Sequence, residues 1–264
     1  MVLKLGGELL EDPGRLAAIA RVIRRQAAGG PLVVVHGGGR EIDQAMAAAG
    51  IPKRQVDGLR VTDEATLSVV VAVLAGTVNT RFVAAINAAG GRAVGLTGAD
   101  AGVAPVRPAP PFRATSGETV DLGLVGQPVA APAPPLLAAL TAGGFVPVIA
   151  CIGAGRGGRL YNVNADTLAG SLAARIGAAR LVIAGATAGV LDTGGATIPV
   201  LDQRAVRALV RSGTASAGMV AKLAACRAAV AAGVAAVAIV DGREPAALGR
   251  ALAGTAIRGT VIQR

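Results

Sequence analysis

Three lysines stand out in a chain that otherwise draws its positive charge from arginine. Of 26 Lys and Arg residues, only Lys4, Lys53 and Lys222 are lysines. A lysine kept against that bias marks a need for a compact ammonium that a planar guanidinium does not replace. Lys4 belongs to Lys4-Leu5-Gly6-Gly7, at the end of a short apolar run with two glycines in the turn that follows. Glycines there let backbone N–H groups approach phosphate oxygens, and a following helix N-terminus favours negative charge. Lys222 ends Gly218-Met219-Val220-Ala221-Lys222, one turn into a helical pattern, where the helix dipole disfavours a cation. That placement makes sense if Lys222 faces an anion.

Three further segments carry polar groups at informative spacings. His36-Gly37-Gly38-Gly39 follows a second apolar run. Three consecutive glycines cost more backbone entropy than a simple turn requires, and they read as N–H donors aimed at an anion. His36 itself serves equally well as a loop cap. In Gly58-Leu59-Arg60-Val61-Thr62-Asp63, Thr62 is placed to cap the next helix, and Arg60 precedes it as a loop residue able to clamp a carboxylate through two parallel hydrogen bonds. Asn162-Val163-Asn164-Ala165-Asp166 alternates polar residues that share one face if extended, ending on an acid at a helix start. Asn164 or Asp166 suffices as the cap, which leaves Asn162 for a ligand.

These segments sit between elements of a repeating grammar. Strands are expected at Val2–Leu5, 31–35, 92–96, 145–149, 180–184, 235–240 and 259–263, with helices between them. Thr62–Ala75 and Val78–Ala89 read as two separate helices. Residues 101–134 are rich in Pro and Gly and read as a hairpin-bearing excursion. Continuous apolar strands alternating with helices imply a three-layer α/β/α open sandwich around a mostly parallel central sheet. Ligands then bind beyond the carboxyl ends of the strands. Two lobes are expected, 1–153 and 154–264.

Composition narrows the function. At 264 residues the chain can bury a sizeable core. The net charge is +10, but aromatics are 2% of the residues and the arginines are scattered, which argues against a nucleic-acid partner. The longest apolar run, Ala228–Val240, is interrupted by Gly233 and reads as helix, turn and strand, so no membrane span is expected. A signal peptide is not apparent. Cys151 and Cys226 read as buried thiols of a reducing, cytoplasmic compartment, and one histidine is too few for a zinc centre.

Together the motifs resemble the amino-acid-kinase family, nearly end to end, with the closest match in its branch acting on N-acetylglutamate. Leu74-Ala75-Gly76-Thr77-Val78-Asn79, Val94-Gly95-Leu96-Thr97-Gly98, Asp121–Gly126 and Ile239–Arg243 add to the likeness. The resemblance implies a small-molecule phosphotransferase of arginine biosynthesis that uses ATP, with Mg²⁺ carried by the nucleotide and no protein metal site. It implies catalytic roles for Lys4, Lys222 and Asp166, and substrate contacts from Gly37, Gly38, Arg60 and Asn162. Phosphate and nucleotide contacts fall on Gly6, Gly7, Ala186, Gly189, Val190, Leu191 and Ser216. Ala186 stands where the family carries an acid, which bears on the strength of nucleotide binding. The first strand begins at Val2, without the ring-forming helix of arginine-inhibited relatives. That implies a homodimer insensitive to arginine. Two other readings stay open: a kinase acting on glutamate or aminoadipate blocked by a small acidic carrier protein, and a non-catalytic binding or regulatory protein on this fold.

Overall fold

The computed structural model describes residues 1–114, 116–211, 217–255 and 257–263. An eight-stranded sheet organises them. Its strands are β1 (Val2–Leu5), β2 (Val33–His36), β3 (Ala93–Thr97), β4 (Val146–Ala150), β5 (Arg180–Gly185), β6 (Val200–Leu201), β7 (Ala236–Asp241) and β8 (Gly259–Ile262). Their spatial order is β6-β8-β7-β5-β1-β2-β4-β3. Neighbours run parallel except β7 and β8, which are antiparallel. Every residue of β1, β2 and β4 is buried, as both faces of a covered parallel sheet require.

The helices are α1 (Pro13–Ala27), α2 (Gly39–Ala48), α3 (Glu64–Val71), α4 (Asn79–Ala88), α5 (Pro135–Ala142), α6 (Ala165–Arg175), α7 (Gln203–Arg211), α8 (Ala217–Ala231) and α9 (Pro245–Ala253). α6 and α8 pack together over β1, β5 and β7, while α1 packs against α4 and α9. The expected three layers are therefore present. β1 lies between β2, which follows it in the chain, and β5 from the second half. The crevice beyond the carboxyl end of β1 is thus where the topology changes direction, the usual ligand site of such sheets.

The excursion in the first half contributes a second sheet. Ile152–Ala154, Leu160–Val163, Val125–Pro128 and Val106–Pro108 lie in that order, and Phe112–Arg113 pairs with Thr119–Val120 as a hairpin. The hairpin expected in this region is thus found.

Three local expectations change. Asp63, not Thr62, caps α3, its carboxylate accepting from the Thr66 N–H at 2.8 Å. Thr62 is instead buried, donating its hydroxyl to Arg60 O at 3.1 Å. Arg60 is not on an open loop. It lies in a hairpin, Gln55–Val56 with Leu59–Arg60, turned by Asp57 (φ 46°) and Gly58 (φ 76°) as tight primed turns demand. Finally, α3 and α4 are one continuous rod joined by a π-helical turn at Ala72–Val78. Read as a unit, Glu64–Ala88 contains an 18-residue window of mean hydropathy 1.9 and is long and apolar enough to span a bilayer, which the two-helix reading missed. In the fold, Leu67, Val70, Leu74, Val78, Phe82 and Ile86 turn its apolar side into the core.

The π turn delivers Asn79 into the interior. There the proton of His36 is assigned by its partners. Nδ1 lies 3.1 Å from Gly37 O, which only accepts, so Nδ1 carries the proton. Nε2 is left to accept from Asn79 Nδ2 at 2.9 Å, and the same amide donates to Val148 O at 2.9 Å. Burial lowers the His36 pKa to about 4, so the ring is neutral. One amide thereby ties the glycine loop after β2 to β4. Asn79→Ala should cost about 1–3 kcal/mol in urea unfolding, because buried acceptors lose their donor. Unchanged stability would show that the network contributes nothing.

Candidate active site

Lys4, Asp166 and Lys222 meet at the carboxyl end of β1. Asn164 fixes the start of α6 by accepting from the Thr167 N–H at 3.0 Å, and this sets Asp166 in the first turn, where a carboxylate suits the helix dipole. Its two oxygens divide between two cations. Lys4 Nζ lies 2.8 Å from Oδ1, and Lys222 Nζ, from α8, lies 3.4 Å from Oδ2. The side chains of Lys4 and Asp166 are 7% and 5% exposed, and that of Lys222 is 20% exposed. Burial opposes the charge on Asp166, but both ammoniums outweigh it and hold its pKa below the usual carboxylate value. Burial also opposes the Lys4 charge, and Asp166 outweighs it in turn, leaving the Lys4 pKa raised.

Two glycine loops bound the cluster. A Cβ on Gly7 would lie 2.5 Å from Gly38 Cα and 2.7 Å from Gly38 N, so the loops approach as closely as backbones without side chains allow. Two of the five glycines are not free donors. Gly6 N–H bonds to Ala184 O at 2.9 Å and Gly37 N–H to Leu5 O at 3.1 Å, extending the sheet. The expected anion cradle therefore rests on Gly7, Gly38 and Gly39.

The opposite wall carries Arg60 and Asn162. Arg60 is 8% exposed; it donates to Met46 Sδ at 3.1 Å and Gly39 O at 3.3 Å, and it pairs with Asp43. Lys53, the third lysine, pairs with the other Asp43 oxygen at 2.7 Å. Asn162 Nδ2 donates to Thr62 Oγ1 at 3.2 Å, linking it through Thr62 to Arg60.

A cleft of about 350 Å³ joins these parts. Lys4, Gly6, Gly7, Gly37, Gly38, Arg60, Asn162, Asp166 and Lys222 all line it. Ala186, Gly189, Val190 and Leu191 do not. Ala186 and Leu191 are exposed on the loop beyond β5, Val190 is buried with its N–H on Thr260 Oγ1 at 2.8 Å, and Gly189 packs against Thr260 and Thr197. Ser216 lies outside the described residues. Sequence reasoning missed Cys151 and Glu8, which also line the cleft. Burial pushes the Cys151 thiol up to about 12, so it is inert packing. Glu8, directly after Gly7, could have been found as the acid within a phosphate-type turn.

This architecture and site define an α/β phosphotransferase with paired lysines at a glycine-lined crevice. The chain belongs to the amino acid kinase family, whose model matches residues 1–241. It is 43% identical to the acetylglutamate kinase of Sphingopyxis alaskensis, covering all of this chain and 88% of that one. It is 41% identical to the acetylglutamate kinase of Solibacter usitatus, covering 97% and 96%. Among solved structures, N-acetylglutamate synthase from Neisseria gonorrhoeae, complexed with coenzyme A and N-acetyl-glutamate, matches at TM-score 0.83 and 26% identity. All of this chain aligns there, spanning 59% of the synthase's length. The smu.665 protein of Streptococcus mutans matches at TM-score 0.82 and 25% identity, covering 99% of this chain and 97% of that one.

Removing Asp166 should expose what it neutralises. Asp166→Asn leaves two ammoniums without their counter-charge and should cost about 3–5 kcal/mol. A Lys4→Met, Asp166→Leu double variant should recover much of that loss while remaining inactive. The sign with pH follows from the two shifts. The pair's contribution is complete between roughly pH 4 and pH 10, the unfolded values for Asp and Lys. It is lost as pH falls through the lowered Asp166 pKa or rises through the raised Lys4 pKa. Urea titrations across pH measure this. A double variant no more stable than Asp166→Asn would rule out charge pairing as the cause.

Proposed function

We propose that this chain transfers the γ-phosphoryl group of ATP to the side-chain carboxylate of N-acetyl-L-glutamate. The product is N-acetylglutamyl 5-phosphate, formed in arginine biosynthesis. The observation that carries the proposal is the convergence of Lys4 and Lys222 on Asp166 between two touching glycine loops, with Arg60 and Asn162 opposite. Relatives above 40% identity over most of the chain bear the name acetylglutamate kinase.

The residues divide the work by charge. Arg60 takes the substrate carboxylate distant from the reaction, in a planar two-point contact, and Asn162 adds a neutral donor. Gly7 and Gly38 offer backbone N–H groups where side chains would block approach. A carboxylate oxygen of the substrate attacks the γ-phosphorus, and the bond to the bridging oxygen breaks with its electron pair leaving on ADP. Lys4 and Lys222 face the charge that spreads over the transferring group, the largest effect a protein supplies in this chemistry. Asp166 holds both ammoniums in place. Magnesium carried by the nucleotide would screen its phosphates. No group of three or more metal-ligating side chains is found among the described residues. We assign acetyl-amino-acid binding and dimerisation to residues 1–153 and nucleotide binding to 154–264. The two buried free thiols, Cys151 and Cys226, suit a reducing cytoplasm.

Trapping the acyl phosphate with hydroxylamine tests the activity directly. Lys4→Ala and Lys222→Ala should each lower kcat by about a hundredfold or more, with poor rescue by Arg. Arg60→Ala should raise KM for N-acetylglutamate while leaving KM for ATP nearly unchanged. No hydroxamate from free N-acetylglutamate, but turnover of the carrier-linked acid, would move the substrate to the alternative class.

Assembly completes the proposal. β3 is one edge of the sheet, and less than half of the apolar window within the rod Glu64–Ala88 beside it is buried. These surfaces support a symmetric C₂ dimer through the N-terminal lobe. Light scattering should give twice the chain mass, and a monomer at micromolar concentration would overturn the dimer.

A further inference from the structure

Glu8 is an acid inside a site built for anions. It follows Gly7 in the turn after β1 and lines the cleft. Its side chain folds back over the Gly6 backbone, where a Cβ would collide with both carboxylate oxygens. Glu8 Oε1 also lies 3.5 Å from where a Gly185 Cβ would stand, and Lys222 Cε lies 3.6 Å from that same point. The Glu8 carboxylate and the Lys222 side chain therefore flank one spot at the carboxyl ends of β1 and β5. Although Lys4 feels its charge, Glu8 forms no ion pair with either lysine, and Asp166 alone takes both.

The charge count makes this placement consequential. Lys4 and Lys222 contribute two positive charges, and Asp166 and Glu8 two negative ones, so the cluster is neutral before any nucleotide binds. A nucleotide phosphate entering beside Gly6 and Gly7 meets the Glu8 carboxylate. Two anions brought together there repel, the more so the less water screens them. A divalent cation between them reverses the sign, and Mg²⁺ is commonly held by one or two carboxylates together with substrate phosphates. Glu8 has the hard oxygen donors that such an ion prefers, and its charge is not already consumed by a lysine. This differs from a protein cage, which needs several ligands from the chain.

We infer that Glu8 makes nucleotide binding depend on magnesium, its carboxylate repelling metal-free ATP and accepting a coordination position of the nucleotide-borne cation. The inference rests on reading the cleft as a kinase site. It goes beyond that reading by assigning the metal one protein ligand and by making Glu8 a discriminator between Mg·ATP and free ATP.

The test is binding, not turnover. Isothermal titration of the full chain with ATP in excess EDTA, and with ATP in excess Mg²⁺, gives two dissociation constants whose ratio measures the coupling. In Glu8→Gln that ratio should fall by about fivefold or more, the low end of usual coupling between two ligands. Both limbs should contribute: tighter binding of free ATP and weaker binding of Mg·ATP. Glu8→Asp keeps the charge and should keep free ATP weakly bound, while thermal melts of both variants verify folding. An unchanged ratio in folded Glu8→Gln overturns the inference and leaves the kinase reading intact. Failure of the unsubstituted chain to bind Mg·ATP overturns both.

Discussion

Burial of the Lys4–Asp166–Lys222 cluster is the constraint on which the rest of the structure depends. Removing three charges from water costs several kcal/mol per ion unless geometry and additional polar contacts compensate. The compensation here needs parts from distant points in the chain: the end of β1, the first turn of α6 and the early turns of α8. None of these can shift by much without leaving a charge unpaired. Asn164 caps α6 at the residue that brings Asp166 to face Lys4, so the local rule for helix starts and the global demand of the cluster agree. The small side chains around it follow. Gly170 of α6 packs so close to α8 that a Cβ would lie 3.0 Å from Ala225 O, and this close packing brings Asp166 within reach of Lys222.

A second constraint is the contact of the two glycine loops. Gly7 and Gly38 touch through their backbones, and that contact sets how closely the loops after β1 and β2 approach across the cleft. The loop after β2 cannot hold this position unaided, since glycines supply no side-chain packing. Its support comes from beneath, through neutral His36, Asn79 and the carbonyl of Val148, and from Leu74 and Val78 beside Gly38. The π turn at Ala72–Val78 changes the angular position of Asn79 relative to α3, and such turns recur near functional sites for that kind of reason. The rod is thus both core and a scaffold for the site.

How much of this was legible in the sequence depended on whether the signal was local. Lys4 and Lys222 were visible because arginine bias made them exceptional, and Asp166 because it begins a helix after an alternating polar segment. The parallel sheet followed from apolar runs alternating with helical ones. Thr62 was misplaced because it and Asp63 are both capable caps. Only the bridge to Asn162, a hundred residues away, shows why the threonine turns inward. Arg60 looked exposed because a two-residue hairpin strand leaves almost no periodic signal, while its burial comes from α2 through Met46 and Asp43. The rod was split at Gly76-Thr77, which look like an interruption, when a π turn absorbs them. The commitment of Gly6 and Gly37 N–H groups to the sheet depends on strand register, which composition does not encode.

The titrating groups of the cleft explain what kind of acceptor it suits. The only histidine is sealed away, neutral, with its proton directed to a backbone carbonyl. Cys151 is held as a thiol far above neutral pH. Asp166 is held ionised by the two lysines, so it has little tendency to take a proton from a substrate. A hydroxyl acceptor would need a base to remove its proton as the phosphorus–oxygen bond forms. A carboxylate acceptor needs none, because it is ionised already at neutral pH. What it does need is relief from meeting another anion, and the cleft carries cations on two of its walls. Arg60 stands on one wall of the cleft, and two ammoniums stand across from it at the carboxyl end of β1. The site's chemistry is therefore written in what surrounds the reacting oxygens, by charge and position, with no residue asked to move a proton.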